Sequence, residues 1–395
     1  ADVPGLAAPA RDRADMKVAV IANTSWYVYN FRRNLMTALR EAGHEPVVVA
    51  GHDDYTDKLR RAGFECHAVP FSGAGVNPLR ELRTIFALRQ RLRRLGANVA
   101  LTYTPKGTIY TALALIGLRV RIIANISGLG RAFVRQSWLT FATSWLYRLT
   151  LRRTERVFFQ NADDLRLFER LGLVETAQAR LLPGSGVDLV HFSPAPSPET
   201  DERSAVRFLM VARLMWEKGV CEYVEAARVA RRLDPRLHFA LLGPPESSAR
   251  QGASQPTLDK WVCEGVIEYL GVTDDVRPHL LAANCVVLPS YYREGVPRSL
   301  LEAAAMARPV VTTDAVGCRE CVDDGITGYL CRPMDAQDLA QRLLDFAALS
   351  PEQRAAMGRA GRAKMEREFD ERIVIQRYLE ALVGPSAAGI GAAAS

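Results

Sequence analysis

Two α/β domains, each a doubly wound parallel sheet, are what this sequence predicts. Three observations predict it: short β-branched runs alternating with helical periods, a proline-rich break near mid-chain, and a length of 395 residues. A chain of that length exceeds what one hydrophobic core usually serves, so two cores of under ~200 residues each are expected. Strands separated by helices pair in parallel, because each crossover returns the chain to the same end of the sheet.

The elements follow in order. Met16–Ala22 is the first strand, then comes a polar-aromatic loop and a helical period over Phe31–Ala42, ended by Gly43. Pro46–Ala50 is the second strand, and the cycle repeats at Cys66–Pro70, Val99–Thr102, Arg121–Asn125, Val157–Gln160 and Arg180–Leu182. From Pro183 to Ser204 the pattern lapses into small polar residues with four prolines, Pro183, Pro194, Pro196 and Pro198. A second series places strands at Val206–Val211, Leu237–Leu242, Ile267–Leu270, Cys285–Pro289 and Pro309–Thr313, with a late helix over Phe369–Leu382. The expected organisation is a disordered leader (1–15), a first domain (16–190), a linker (191–204), a second domain (205–368), a closing helix (369–383) and a disordered tail (384–395). Ligands belong in a central cleft at the C-terminal edges of the two sheets.

Composition narrows the classes. With 48% apolar and 24% charged residues, disorder over most of the length is excluded. The net charge of +7 is uneven: Arg80, Arg83, Arg89, Arg91, Arg93 and Arg94 crowd one segment, and a second basic group runs from Arg119 to Arg153. Such density suits anionic headgroups, a diphosphate ligand or nucleic acid, unless it is only a solvated helix face. Nucleic acid is set aside, because no RNP, KH, helix-turn-helix or zinc signature accompanies the charge. The seven cysteines have no framework spacing and read as reduced thiols, with the Cys318–Cys321 pair incidental. No apolar run reaches the ~18 residues that span a bilayer. Residues 1–15 hold no apolar signal core, so a cytoplasmic protein is expected.

Two segments carry chemistry. After the strand ending near Ala212, Arg213 and Lys218 stand five residues apart around a turn. Two fixed cations there can hold a diphosphate without a divalent metal, although alone they are merely a surface Arg and Lys. After the strand ending at Leu288 comes the loop Glu294-Gly295-Val296-Pro297, then a helix from about Arg298 to Ala307. Pro297 suits a helix start, Gly295 clears the backbone for a ligand, and the helix's leading amides face a phosphate. Glu302 lies one turn inside, so that E-x7-E lets one carboxylate grip ribose hydroxyls while the other meets a sugar ring. No D-x-D occurs in the chain, and the adjacent aspartate pairs Asp163–Asp164, Asp274–Asp275 and Asp323–Asp324 read as caps and turns. No metal site and no cofactor are expected.

These residues, with Asp324–Leu330 and Pro183–Asp188, resemble the retaining GT-B glycosyltransferases of family 4, over roughly residues 16–382. The resemblance implies two Rossmann-like domains, a nucleotide-sugar donor, UDP-linked, and retention of anomeric configuration. It implies that Arg213 and Lys218 bind the donor diphosphate, Glu302 the ribose and Glu294 the transferred sugar, and that the late helix crosses back to the first domain. Asn23–Trp26 with Asn30–Arg32, then Thr104–Lys106, Ser127–Gly130 and Gly317–Glu320, are similar to a bacterial subgroup that extends sugars on undecaprenyl diphosphate. One branch of it transfers N-acetylgalactosamine. That narrower likeness implies an acceptor site using Ser25, Trp26, Asn30, Arg32, Lys106, Ser127 and Gly128, a lipid-diphosphate-linked sugar acceptor, and work at the inner face of the cytoplasmic membrane.

The sequence departs from many family members in one respect. No histidine occurs between His67 and His191, so the mid-domain histidine near the reacting sugar is missing, and the backbone around Ser127–Gly130 stands in its place. Trp26, Tyr27 and Tyr29 either stack on a sugar or simply pack. Lys106 is placed to meet an acceptor diphosphate. Ser137–Arg153 mixes aromatics with arginines, as an interfacial helix or a core helix with a basic end does. A rival on the same fold is a non-hydrolysing UDP-sugar 2-epimerase, which needs neither an acceptor nor a basic first domain.

Overall fold

The structure is a computed structural model and describes residues 15–71, 77–129, 138–194, 205–248 and 250–383. The leader before Asp15, linker residues 195–204, Gly130 and the tail 384–395 lie outside the described residues.

The first unit holds a parallel sheet of seven strands: β1 (Lys17–Ala22), β2 (Glu45–Ala50), β3 (Glu65–Ala68), β4 (Val99–Tyr103), β5 (Arg121–Ile126), β6 (Arg156–Phe159) and β7 (Ala179–Leu181). Their order is β3-β2-β1-β4-β5-β6-β7. Between them run α1 (Ser25–Glu41), α2 (Tyr55–Arg61), α3 (Pro78–Leu95), α4 (Pro105–Ala114), α5 (Trp138–Leu151) and α6 (Ala162–Arg170). Right-handed crossovers put α1 and α2 on one face of the sheet and α3 to α6 on the other. Accordingly α1 packs against α2, α3 against α4, and α4 against α5. Central strands are apolar on both faces, as helices on both sides require, with β1 and β4 buried along nearly their whole length.

The second unit repeats the plan with six parallel strands, β8 (Arg207–Val211), β9 (His238–Leu242), β10 (Glu268–Tyr269), β11 (Cys285–Leu288), β12 (Val310–Thr313) and β13 (Gly328–Cys331), in the order β10-β9-β8-β11-β12-β13. Its helices are α7 (Val220–Leu233), α8 (Gln255–Cys263), α9 (Arg277–Ala282), α10 (Arg298–Ala305), α11 (Ala336–Ala347) and α12 (Pro351–Lys364), followed by α13 (Glu371–Val383). Asp335 caps α11 and a Ser350/Gln353 capping box opens α12.

Two expectations are corrected. β13 was not expected, because its four residues follow the turn of Asp324–Gly325 too closely to show a period; it pairs with β12 along Val310–Thr313. The domain boundary is not at 190. Residues from Pro183 belong with the second unit, because Val187 pairs with Asp370 and both Val187 and Phe192 enter that unit's core. The prolines mark where the strand–helix pattern stops, whereas apolar contacts decide where the chain attaches.

From Ile375 onward the residues of α13 belong to the first unit. Tyr378 is buried there, its hydroxyl accepting from Asn125 Nδ2 at 3.0 Å. Arg121 donates to the carbonyls of Ala381 and Leu382 at 2.9 and 2.7 Å, satisfying acceptors that a helix end leaves open. The same guanidinium holds Glu155 through two hydrogen bonds of 2.6 and 2.8 Å.

Candidate active site

In the second unit the strand order reverses between β8 and β11: β8 leads to β9 and β10, whereas β11 leads to β12 and β13. Loops leaving two such neighbours part from each other and open a crevice beyond their carboxyl ends. Arg213 and Lys218 follow β8, and Ser290 and Glu294 follow β11.

Lys218 forms an ion pair with Glu294 Oε1, and the Ser290 hydroxyl lies 3.0 Å from that same oxygen. The two loops are pinned together by one carbonyl. Glu217 O accepts from Tyr291 N and Tyr292 N, both at 3.0 Å, and lies 3.2 Å from Ser290 Oγ. A single hydroxyl proton serves either Glu294 or Glu217, so Ser290 can answer a change at the carboxylate. Lys218 Nζ also sits 5.5 Å from the Tyr292 ring centroid, a cation–π distance.

Glycines clear the space around this carboxylate. Gly128 has φ +98° and forms an antiparallel bridge with Glu294; a Cβ there would fall 2.5 Å from Gly295 N. Gly317 has φ +85°, and its Cβ would fall 2.8 Å from that of Glu294. Cys318 is buried beside them, its thiol pushed up to about 12 by burial and by the Glu294 carboxylate. It is a packed, unreactive thiol.

Arg213 does not pair with Glu294. Its guanidinium, 63% exposed, reaches Glu246 at 2.7 Å on the segment after β9. Each of the two expected cations therefore rests on a carboxylate. Glu302 lies one turn into α10, held by Arg298 at 2.8 Å. Burial raises its carboxyl above the usual range despite that arginine. Pro297 caps α10 without a side-chain hydrogen bond. The side chain of Val296 is buried in the second core.

The first unit has its own reversal, between β1 and β4. Of the expected acceptor residues, Ser25, Trp26, Asn30, Arg32 and Lys106 lie on the helices that follow those two strands, whereas Gly128 groups with the second unit. Ser25 is buried, donating to Gly51 O at 2.9 Å and accepting from Thr56 at 2.9 Å. Trp26 is exposed, and its backbone N–H donates to Asp53 Oδ2 at 2.9 Å. Asn30 turns back to Trp26 O at 2.9 Å. Lys106 opens α4 and pairs with Glu81 at 2.9 Å. Thr104 joins the two loops, its hydroxyl 2.7 Å from Asn23 Oδ1. Ser127, half-buried, follows β5.

Arg32, expected among the acceptor-binding residues, lies inside the first unit. It is fully buried, its guanidinium 4.4 Å from the Tyr103 ring centroid and 3.3 Å from Tyr27 Oη. Aromatic faces, rather than a carboxylate, compensate that charge. Ser290, Glu246 and Arg298 escape notice in the sequence. The one signal available is that Ser290 is polar immediately beyond an apolar strand.

Comparison with known proteins identifies the family. Residues 205–348 match "Glycosyl transferases group 1" and residues 29–185 match "Glycosyl transferase 4-like domain". The chain belongs to the GT-B glycosyltransferases of family 4. It is 27% identical, over 92% of its length and 98% of the relative's, to N,N'-diacetylbacillosaminyl-diphospho-undecaprenol alpha-1,3-N-acetylgalactosaminyltransferase of Campylobacter jejuni. It is 24% identical, over 74% of its length and 76% of the relative's, to UDP-Gal:alpha-D-GlcNAc-diphosphoundecaprenol alpha-1,3-galactosyltransferase of Escherichia coli. Among solved structures, HepE of Anabaena in complex with UDP and glucose superposes with a TM-score of 0.77, at 17% identity, covering 93% of this chain and 100% of that one.

Proposed function

We propose that the protein transfers a hexose or N-acetylhexosamine from a UDP-sugar to a saccharide carried on a lipid diphosphate, with retention of configuration and without a metal ion. The reading places it peripherally on the inner face of the cytoplasmic membrane, where such an acceptor is elongated into surface polysaccharide or glycoprotein glycan. The acceptor class is supported by the printed activities of the Campylobacter jejuni and Escherichia coli relatives. The donor class is supported by the Escherichia coli relative's name and by the UDP bound in HepE.

The observation that carries the chemistry is the Lys218–Glu294–Ser290 cluster at the strand reversal, with Arg213 on the same loop as Lys218. In the reaction the bond between the anomeric carbon and the β-phosphate oxygen breaks, and negative charge grows on that phosphate. Lys218 and Arg213 take up this charge as they leave Glu294 and Glu246. The acceptor hydroxyl attacks from the same face and passes its proton to the departing phosphate oxygen, so no separate general base is needed. Glu294, freed from its lysine, meets the hydroxyls of the transferred sugar, and Ser290 holds its carboxylate in place. Glu302 grips the ribose. Trp26, Asn30 and Lys106 lie on the acceptor side.

The test combines purified protein, a panel of sugar nucleotides and a synthetic polyprenyl-diphosphate monosaccharide, read by nucleotide release and by the anomeric proton of the product. Retention and insensitivity to EDTA are expected. An inverted product, or turnover that disappears with EDTA, rejects the mechanism. An epimer formed from UDP-sugar alone rejects the reaction class.

A further inference from the structure

Two rows of apolar side chains stand in solvent on the first unit, on helices that take no part in the chemistry above. On α3, Leu79 is 78% and Phe86 67% exposed, with Leu82 between them. At 100° per residue, Leu79 and Phe86 lie within about 20° of each other, flanked by exposed Arg83 and Arg93. The only carboxylate on α3, Glu81, is buried against Lys106. On α5, Phe141 is 76% and Trp145 58% exposed, with Leu149 beyond them. Arg148 and Arg152 share that face, and no Asp or Glu occurs from 138 to 153.

The sequence left α5 open between an interfacial helix and a core helix; the exposure of Phe141 and Trp145 favours the first. Both helices belong to one layer. α3 packs on α4 and α4 on α5, and Arg89 ties α3 to the end of α4 through the carbonyls of Ala114 and Ile116 at 2.8 and 2.7 Å. Their exposed faces therefore look away from the same side of the sheet. Exposed apolar rows of this extent mark an interaction surface. Arginines without carboxylates among them make it complementary to anionic headgroups. A second copy of the chain is disfavoured as the occupant, because pairing this face with itself would set arginines against arginines.

We propose that the outer surface of the α3–α5 layer is the face that docks on an anionic lipid surface. Phe86, Phe141 and Trp145 enter the headgroup boundary, and Arg83, Arg93, Arg148 and Arg152 contact lipid phosphates. The inference rests on the proposed lipid-borne acceptor only in giving the docking a purpose.

The test is flotation with vesicles of phosphatidylcholine alone and with about 30% phosphatidylglycerol, for the wild type and two variants. Phe86→Ser/Phe141→Ser/Trp145→Ser removes the apolar rows, and Arg83→Gln/Arg93→Gln/Arg148→Gln/Arg152→Gln removes the charge. Binding to anionic but not neutral vesicles is expected, reduced about tenfold or more in either variant. Turnover on a water-soluble short-chain acceptor should be unchanged, which verifies folding and tests the reaction separately. The proposal is overturned if the wild type ignores anionic vesicles, or if both variants bind as the wild type does. It is equally overturned if light scattering finds a wild-type dimer that the apolar variant splits into monomers.

Discussion

Lys218 offers the sharpest test, because one substitution has two separable consequences. Lys218→Met keeps the aliphatic stem and removes the charge that pairs with Glu294. The carboxylate then loses its lysine and keeps the Ser290 hydroxyl at 3.0 Å, in a site where the pair's side chains are 19% and 11% exposed. Stranding a fully buried partner costs about 3–5 kcal/mol. Partial exposure reduces this to roughly 2 kcal/mol, a melting shift of about 4–8 °C at ~2–4 °C per kcal/mol. Loss of a donor to the departing phosphate should separately lower kcat by about 10²–10³. Adding Glu294→Gln removes the stranded charge, so the double variant should melt above Lys218→Met by at least ~0.5 kcal/mol equivalent while remaining slow. Calorimetry and nucleotide release measure the two arms. A folded Lys218→Met protein within threefold of wild-type kcat/KM would refute the role of the lysine, and additive melting shifts would refute the coupling.

Further outcomes follow from the same geometry. Ser290→Ala should leave the fold intact and lower kcat/KM by about 10–100-fold, since a hydrogen bond to a charged group contributes about 1.5–3 kcal/mol; unchanged kinetics would refute the role given to Ser290. Glu302 has a folded-state carboxyl raised above its ordinary value of 4.5 by burial. Its protonated form therefore favours the fold, and that contribution is lost as pH rises through the raised value. Denaturation of the wild type and Glu302→Gln across this range should diverge as pH increases, the variant losing less. Gly128→Ala, at φ +98° with its Cβ 2.5 Å from Gly295 N, should displace the Glu294 loop and cost about 1–3 kcal/mol, read by melting and by nucleotide affinity. Arg121→Ala frees the carbonyls of Ala381 and Leu382 and leaves Glu155 unpaired, so it should raise proteolysis of α13.

Where periodicity is strong, the fold was legible. β1 and β4 are buried on both faces, so their apolar runs cannot be mistaken for half-exposed strands. β13 was hidden because only four residues separate a turn from a loop, and its strand character comes from pairing with β12. Within the site, Lys218 and Glu294 could be picked out because each follows the end of an apolar strand, where a parallel sheet holds its ligands. Arg213's pairing with Glu246 could not, since nothing local joins residues 33 apart. The burial of Arg32 could not be foreseen, because a guanidinium usually stands at the surface and it is the fold that sets Tyr27 and Tyr103 around it.

The helix that begins at Glu371 and ends at Val383 has a bearing on biosynthesis. Tyr103, Asn125 and Phe158 are translated long before Tyr378, the ring that covers them. A nascent chain that has already emitted the entire first sheet still carries an uncovered seam on it. That seam closes only when residues 375–383 have cleared the ribosome, so the half that emerges first is among the last to be completed.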